Sequence, residues 1–98
     1  MWDVDFHKDV KKQLRKLPKQ VVNALTVWVN IAQIEGPIGL RSTRGFNDEA
    51  LQGKWKGSRS SRLSQQYRVI YKVNKNVVQI FVVDVTAHDY RKKLYERN

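Results

Sequence analysis

The sequence predicts an α+β domain: an antiparallel sheet of four to five strands with an N-terminal helix hairpin packed on one face. Three observations carry this. Apolar residues recur at helical spacing between residues 8 and 34, they alternate at strand spacing on both sides of that stretch, and Gly, Pro and Asn stand where the period changes. At 98 residues the chain is a single domain, 1–98, too short to divide between two cores.

Trp2, Val4 and Phe6 alternate with Asp3 and Asp5, which predicts a short, half-buried first strand. From His7 the period lengthens. Val10, Leu14 and Leu17 recur one helical turn apart among Lys and Arg, as a first amphipathic helix requires. Pro18 is excluded from a helix interior but suits a first turn, so a second helix runs from about Pro18 to Ile34. Val21, Val22, Leu25, Trp28, Val29 and Ala32 make its apolar face. Gly36 and Pro37 stop it, and residues 36–48 read as a loop.

The remainder reads as strands. Leu51–Lys56 comes first, Gly57-Ser58 turns the chain, and Arg59–Ser64 follows. Tyr67–Val73 sets Tyr67, Val69, Tyr71 and Val73 on one face and Arg68, Ile70 and Lys72 on the other. Asn74-Lys75-Asn76 is a turn signal joining that strand to Val77–Val85 as a hairpin, and the latter run is apolar enough for a central strand. Asp89 begins a candidate short C-terminal helix carrying Tyr90 and Leu94. The order is β-α-α-β-β-β(-β). With the helices on the apolar face, the other face is expected to display Arg59, Arg62 and Arg68.

Composition narrows the function. There is no cysteine, which removes disulfide scaffolds, thiolate nucleophiles and Cys-ligated zinc, and two histidines do not make a His-rich metal site. No apolar run approaches the roughly 20 residues of a membrane span, and the acidic N-terminus is unlike a signal peptide. A cytoplasmic protein without a membrane partner is expected. Nineteen Lys and Arg against nine Asp and Glu give a net charge of +10, and the excess is lopsided. Residues 51–98 hold eleven basic and three acidic residues, and no acid stands between Glu49 and Asp84. Solubility alone does not require acids to be absent from a whole sheet, so a polyanionic partner is indicated.

No P-loop, nucleophile elbow or zinc-protease motif occurs. What remains is a set of residue types: Glu49, then Lys54, Lys56, Arg59, Arg62 and Arg68, then His88 and Tyr90. These suit RNA cleavage by attack of the chain's own 2′-OH. That reaction needs a base for the hydroxyl proton, cations for the phosphorane charge and an acid for the leaving 5′-oxygen; carboxylate or imidazole and guanidinium or ammonium supply these without a metal or other cofactor. Each residue also has a plainer role. His88 can be a strand-end histidine, Glu49 a loop acid, and Arg62 and Arg68 solvated charges. His7 reads as surface at a helix start, Trp28 as core, and Trp55 and Tyr67 as packing.

The stretch from Leu51 to Tyr90 resembles the RelE/ParE superfamily of bacterial toxins. Gly57-Ser58-Arg59-Ser60-Ser61-Arg62-Leu63 followed by Tyr67-Arg68-Val69-Ile70-Tyr71 carries the likeness, and the order of elements extends it over nearly the whole chain. RelE- and YoeB-like members cut messenger RNA in the ribosomal A site, ParE-like members inhibit DNA gyrase, and both are held by a cognate antitoxin. The YoeB-like pattern implies Glu49 as general base, His88 as general acid and Arg68 as phosphate clamp, with Arg62 assisting. Lys54, Lys56, Arg59, Tyr90 and Arg91 are the implied RNA-binding residues, and RelE's own cation-rich site makes a lysine an alternative to Glu49. Two departures stand out: Asp89 separates His88 from Tyr90, and Arg91 to Asn98 extend past the point where the YoeB pattern ends. The resemblance implies a toxin of a type II toxin–antitoxin system, a metal-independent endoribonuclease acting on mRNA at the ribosome and partnered by an acidic antitoxin. A gyrase inhibitor that works by binding alone is the alternative, and a homodimer is left open.

Overall fold

The computed structural model describes residues 1–87. Its elements are β1 (Asp3–Phe6), α1 (Lys8–Gln13), α2 (Lys19–Ser42), β2 (Glu49–Ala50), β3 (Arg59–Arg62), β4 (Arg68–Asn74) and β5 (Gln79–Thr86). Single 3₁₀ turns at Leu14–Lys16, Arg44–Phe46 and Gly53–Trp55 complete the path. The C-terminal helix expected from Asp89 lies outside the described residues.

The five strands form one sheet in the order β1-β5-β4-β3-β2. Strands β2 to β5 pair antiparallel, as expected. β1 instead runs parallel to β5, with Val4 opposite Ile80 and Phe6 opposite Val82. Alternation alone does not reveal this, because Val4 and Phe6 face the helices whichever way β1 runs. β4 already occupies one edge of β5, so β1 takes the other. Asp3 N–H donates to Val78 O at one end of the ladder and His7 N–H to Val82 O at the other.

His7 also caps α1, its Nδ1 accepting from Asp9 N–H at 3.1 Å. Val10, Leu25, Trp28, Ala32 and Leu40 from the helices meet Val69, Tyr71, Ile80, Val82 and Val85 from the sheet in the main core. Trp28 and Tyr71, both fully buried, stack edge to face with ring centroids 5.3 Å apart.

A bulge makes this packing fit. Ile70 pairs with Asp84 but Tyr71 pairs with Val82, so Val83 is an extra residue in β5. The bulge shifts the alternation, and Ile80, Val82 and Val85 all reach the helix side. Val83 packs instead with Leu51, Ile70 and Trp55 in a second, smaller cluster. The open sheet face is therefore partly covered, and Ile70 is buried there rather than displayed. That cover explains why Leu51–Lys56 is not the expected strand. Only Glu49–Ala50 pairs with β3; the chain then turns through Gly53 at φ 64° and folds Leu51 and Trp55 onto Ile70. The last expected strand also starts later, since Val77 and Val78 belong to an exposed turn.

The second helix does halt at Gly36, as Gly36-Pro37 predicts, but the chain resumes helical geometry up to Ser42 instead of becoming a loop. Gly36 has φ 69° and ψ −161°, a conformation essentially confined to glycine. Pro37 then suits a fresh first turn. Trp2 lies against the break: its N–H donates to Gln33 O, and a Cβ on Gly36 would overlap its indole ring.

The path from Thr43 to Ala50 is tied down by one acid. The Asp48 side chain is fully buried (0% exposed), and its oxygens accept from Arg59 Nε–H at 2.7 Å, Ser61 Oγ–H at 2.6 Å and Tyr71 O–H at 2.6 Å. Burial and the bond to Asp48 both push the Tyr71 phenol well above its ordinary value of 10.0. The neutral phenol is thus the native form.

Two outcomes follow from this packing. Gly36→Ala both strains the backbone and meets Trp2, so urea unfolding should show a loss of about 2 kcal/mol or more. Because folding raises the Tyr71 pKa, the stability it contributes is intact below pH 10 and lost as pH rises past it. Alkaline unfolding should be shallower in Tyr71→Phe than in wild type, and spectrophotometric titration should show one tyrosine ionising only as the fold opens.

Candidate functional site

Strand pairing brings three of the sequence-predicted residues, Glu49, Arg62 and Arg68, to the open face. Directly opposed residues of an antiparallel pair share a face, with Cβ atoms about 5 Å apart. Glu49 opposes Ser60, Ser60 opposes Ile70, Arg62 opposes Arg68, and Arg68 opposes Thr86. The open face therefore holds two adjacent rows, Glu49, the buried Ser60, Ile70 and Asp84 in one, and Arg62, Arg68 and Thr86 in the next. Lys54 and Lys56 stand exposed on and beside the 3₁₀ turn that leaves β2.

Arg68 is held in a fixed pose. Its Nε–H donates to Ser60 Oγ at 2.9 Å, and Nη2 donates to Asn47 O at 2.9 Å and Ser60 O at 3.3 Å. A small residue permits this: Ser60 is buried in β3 on the same face, so the guanidinium can lie across the strand. Asn47 supplies its carbonyl from a left-handed conformation (φ 41°, ψ 49°) that asparagine tolerates. Glu49 is half-buried and Arg62 exposed.

Arg59 departs from expectation. It opposes Tyr71, which places it on the helix side, not beside Arg62 and Arg68. Its guanidinium is engaged by Asp48, and only 24% of the side chain is exposed. Burial opposes its charge, but the Asp48 bond and the carboxylate's field outweigh that and raise its pKa. Arg59 is thus an internal brace. His88, Tyr90 and Arg91 lie outside the described residues; the last residue of β5, Thr86, opposes Arg68.

Asn47, Asp48 and Ser60 are the residues that sequence reading passes over. Asp48 carried one signal: with Glu49 it is the last acid before a run without acids up to Asp84. Neighbouring strand residues point to opposite faces. Asp48 is accordingly buried against Tyr71 while Glu49 shares the open face with Ser60. Among the described residues no cluster of three or more His, Asp or Glu forms a candidate metal site, and no helix is long and apolar enough to cross a membrane.

No family model and no curated protein matches this chain in sequence. Solved structures do match. RelE from the archaeal RelE–RelB complex of Pyrococcus horikoshii OT3 superposes with a TM-score of 0.72 at 27% identity, covering 90% of this chain and 96% of that one. YoeB from the YoeB–YefM complex of Staphylococcus aureus gives 0.69 at 16% identity, with 90% and 98% covered. YafQ of E. coli gives 0.69 at 19% identity, with 93% and 98% covered. Over about nine-tenths of its length the chain therefore has the fold of the RelE/YoeB-like toxins and is similar to that superfamily.

Proposed function

We propose that this protein is the toxin of a type II toxin–antitoxin pair and an endoribonuclease that cuts messenger RNA in the ribosomal A site. The observation that carries the reading is the open face shared by Glu49, Ser60 and Arg68, which sets a carboxylate one row from a guanidinium locked by Ser60 and Asn47. The 27% identity with an archaeal RelE supports it.

In this reading Glu49 removes the proton of a 2′-OH, whose oxygen attacks the adjacent phosphorus. Arg68, assisted by Arg62, stabilises the charge gathering on the phosphorane oxygens. The bond from phosphorus to the 5′-oxygen breaks, and His88 protonates that oxygen, leaving a 2′,3′-cyclic phosphate and a 5′-OH. Lys54 and Lys56, with Tyr90 and Arg91, bind message or ribosomal RNA, a contribution that weakens as salt rises. Arg59 takes no direct part, being engaged by Asp48. The solved RelE and YoeB stand in complexes with RelB and YefM, and a +10 chain suits an acidic cognate antitoxin in the cytoplasm.

The test uses purified protein, programmed ribosomes and primer extension on a defined message, with a gyrase supercoiling assay alongside. Wild type should give cuts in the A-site codon, and Arg68→Ala, Glu49→Gln and His88→Ala should each lower the rate about 100-fold or more while remaining folded. Uncut message with inhibited gyrase would assign the protein to the ParE-like alternative. A His88→Ala or Glu49→Gln enzyme that cuts like wild type would remove that residue from its role.

A further inference from the structure

We infer that Asp48 is the positioning residue of the site: from the buried side of the sheet it fixes both Glu49 and Arg68, without touching substrate. The inference rests on the cleavage reading above for its consequence but not for its geometry. Three consecutive residues divide the work. Asn47 O accepts from Arg68 Nη2, Asp48 accepts from three side chains on β3 and β4, and Glu49 pairs with Ser60.

The strand that carries Glu49 is only two residues long, Glu49–Ala50. A two-residue edge strand has too few backbone bonds to hold its own register, and the chain on either side of it is irregular. Leu51 holds the far end through its N–H to Ser58 O and its packing on Ile70. Asp48 holds the near end: Ser61 and Arg59 tie it to β3 and Tyr71 ties it to β4, the strand that bears Arg68. Ser60, which receives Arg68 Nε–H, stands between the two β3 residues that Asp48 grips. Loosening Asp48 therefore releases Glu49, the Asn47 carbonyl and the seat of Arg68 together, and displacement of about 1 Å at such groups costs about 100-fold in rate.

Asp48→Asn tests this, since it keeps size and one acceptor oxygen but loses the charge that holds Arg59. The ribosome assay should show kcat down about 100-fold with KM within about threefold of wild type. The second readout is independent of activity: hydrogen exchange at Arg68 Nε, followed by NMR and assigned by its loss in Arg68→Lys, should accelerate about tenfold or more. Val21→Ala, which weakens the core beneath α2 without touching this segment, should change neither. If Asp48→Asn does not fold, Ser61→Ala removes a single bond and should move both readouts in the same direction to a smaller extent. A folded Asp48→Asn protein with wild-type Arg68 exchange overturns the inference, whether or not the wild type cuts RNA. If the wild type cuts no message, the cleavage reading fails while accelerated exchange still upholds the positioning role. Accelerated exchange with kcat unchanged would overturn the claim that this positioning serves cleavage.

Discussion

The buried carboxylate of Asp48 is the interaction on which the sheet edge depends. It accepts from Arg59, Ser61 and Tyr71, so its charge is matched by a guanidinium and its oxygens are hydrogen-bonded in a site shut off from water. Such an arrangement is tolerable only when complete. Removing one partner of a buried pair costs about 3–5 kcal/mol, because the other is left desolvated. The same contacts join the main core to the edge, since Tyr71 stacks on Trp28 at one end and donates to Asp48 at the other.

The two faces of the sheet have consequently taken different work. On the helix side, aromatic and aliphatic packing is braced by Arg59 and Asp48. On the open side, Leu51 and Trp55 cover Ile70 and Val83, and beside that cover lie Glu49 and Ser60 in one row and Arg62 and Arg68 in the next. The bulge at Val83 makes both arrangements compatible by turning Ile80, Val82 and Val85 inward together. Arg68 is consequently a partly buried cation fixed by Ser60 and Asn47 rather than a flexible surface charge, the property the proposed reaction would draw on.

Much of this was legible in the sequence, and what was not has identifiable causes. Period changes at His7 and Gly36, with Pro18 between them, marked the first strand, both helices and the break that separates them, and the Asn74-Lys75-Asn76 signal marked the hairpin. The parallel docking of β1 was hidden because alternation has no direction. The bulge was hidden because β5 is apolar almost throughout, so one inserted residue leaves no mark in the pattern. Leu51 and Trp55 read as strand residues because burial by a 3₁₀ turn and burial by a sheet select the same side chains. In the site, Arg68 and Glu49 were candidates only through the resemblance, and strand parity would have separated Arg59 from Arg62 and Arg68, since 59 is odd and the others even. Asp48 was overshadowed by its neighbour: its role depends on a hydroxyl 23 positions away, on Tyr71, which no local pattern reports.

The central claim is that one edge of this sheet presents Glu49 and Arg68 to a single phosphate of a bound message. The most direct measurement is a structure of the protein on a ribosome whose A-site codon carries 2′-deoxy sugars, so that the message binds but is not cut. The account predicts the phosphate that would be attacked within about 3 Å of the Arg68 guanidinium, with the Glu49 carboxylate facing the 2′ position of the preceding sugar. A message held on another surface, with Arg68 still bonded only within the protein and Glu49 turned away from the sugar, would contradict it.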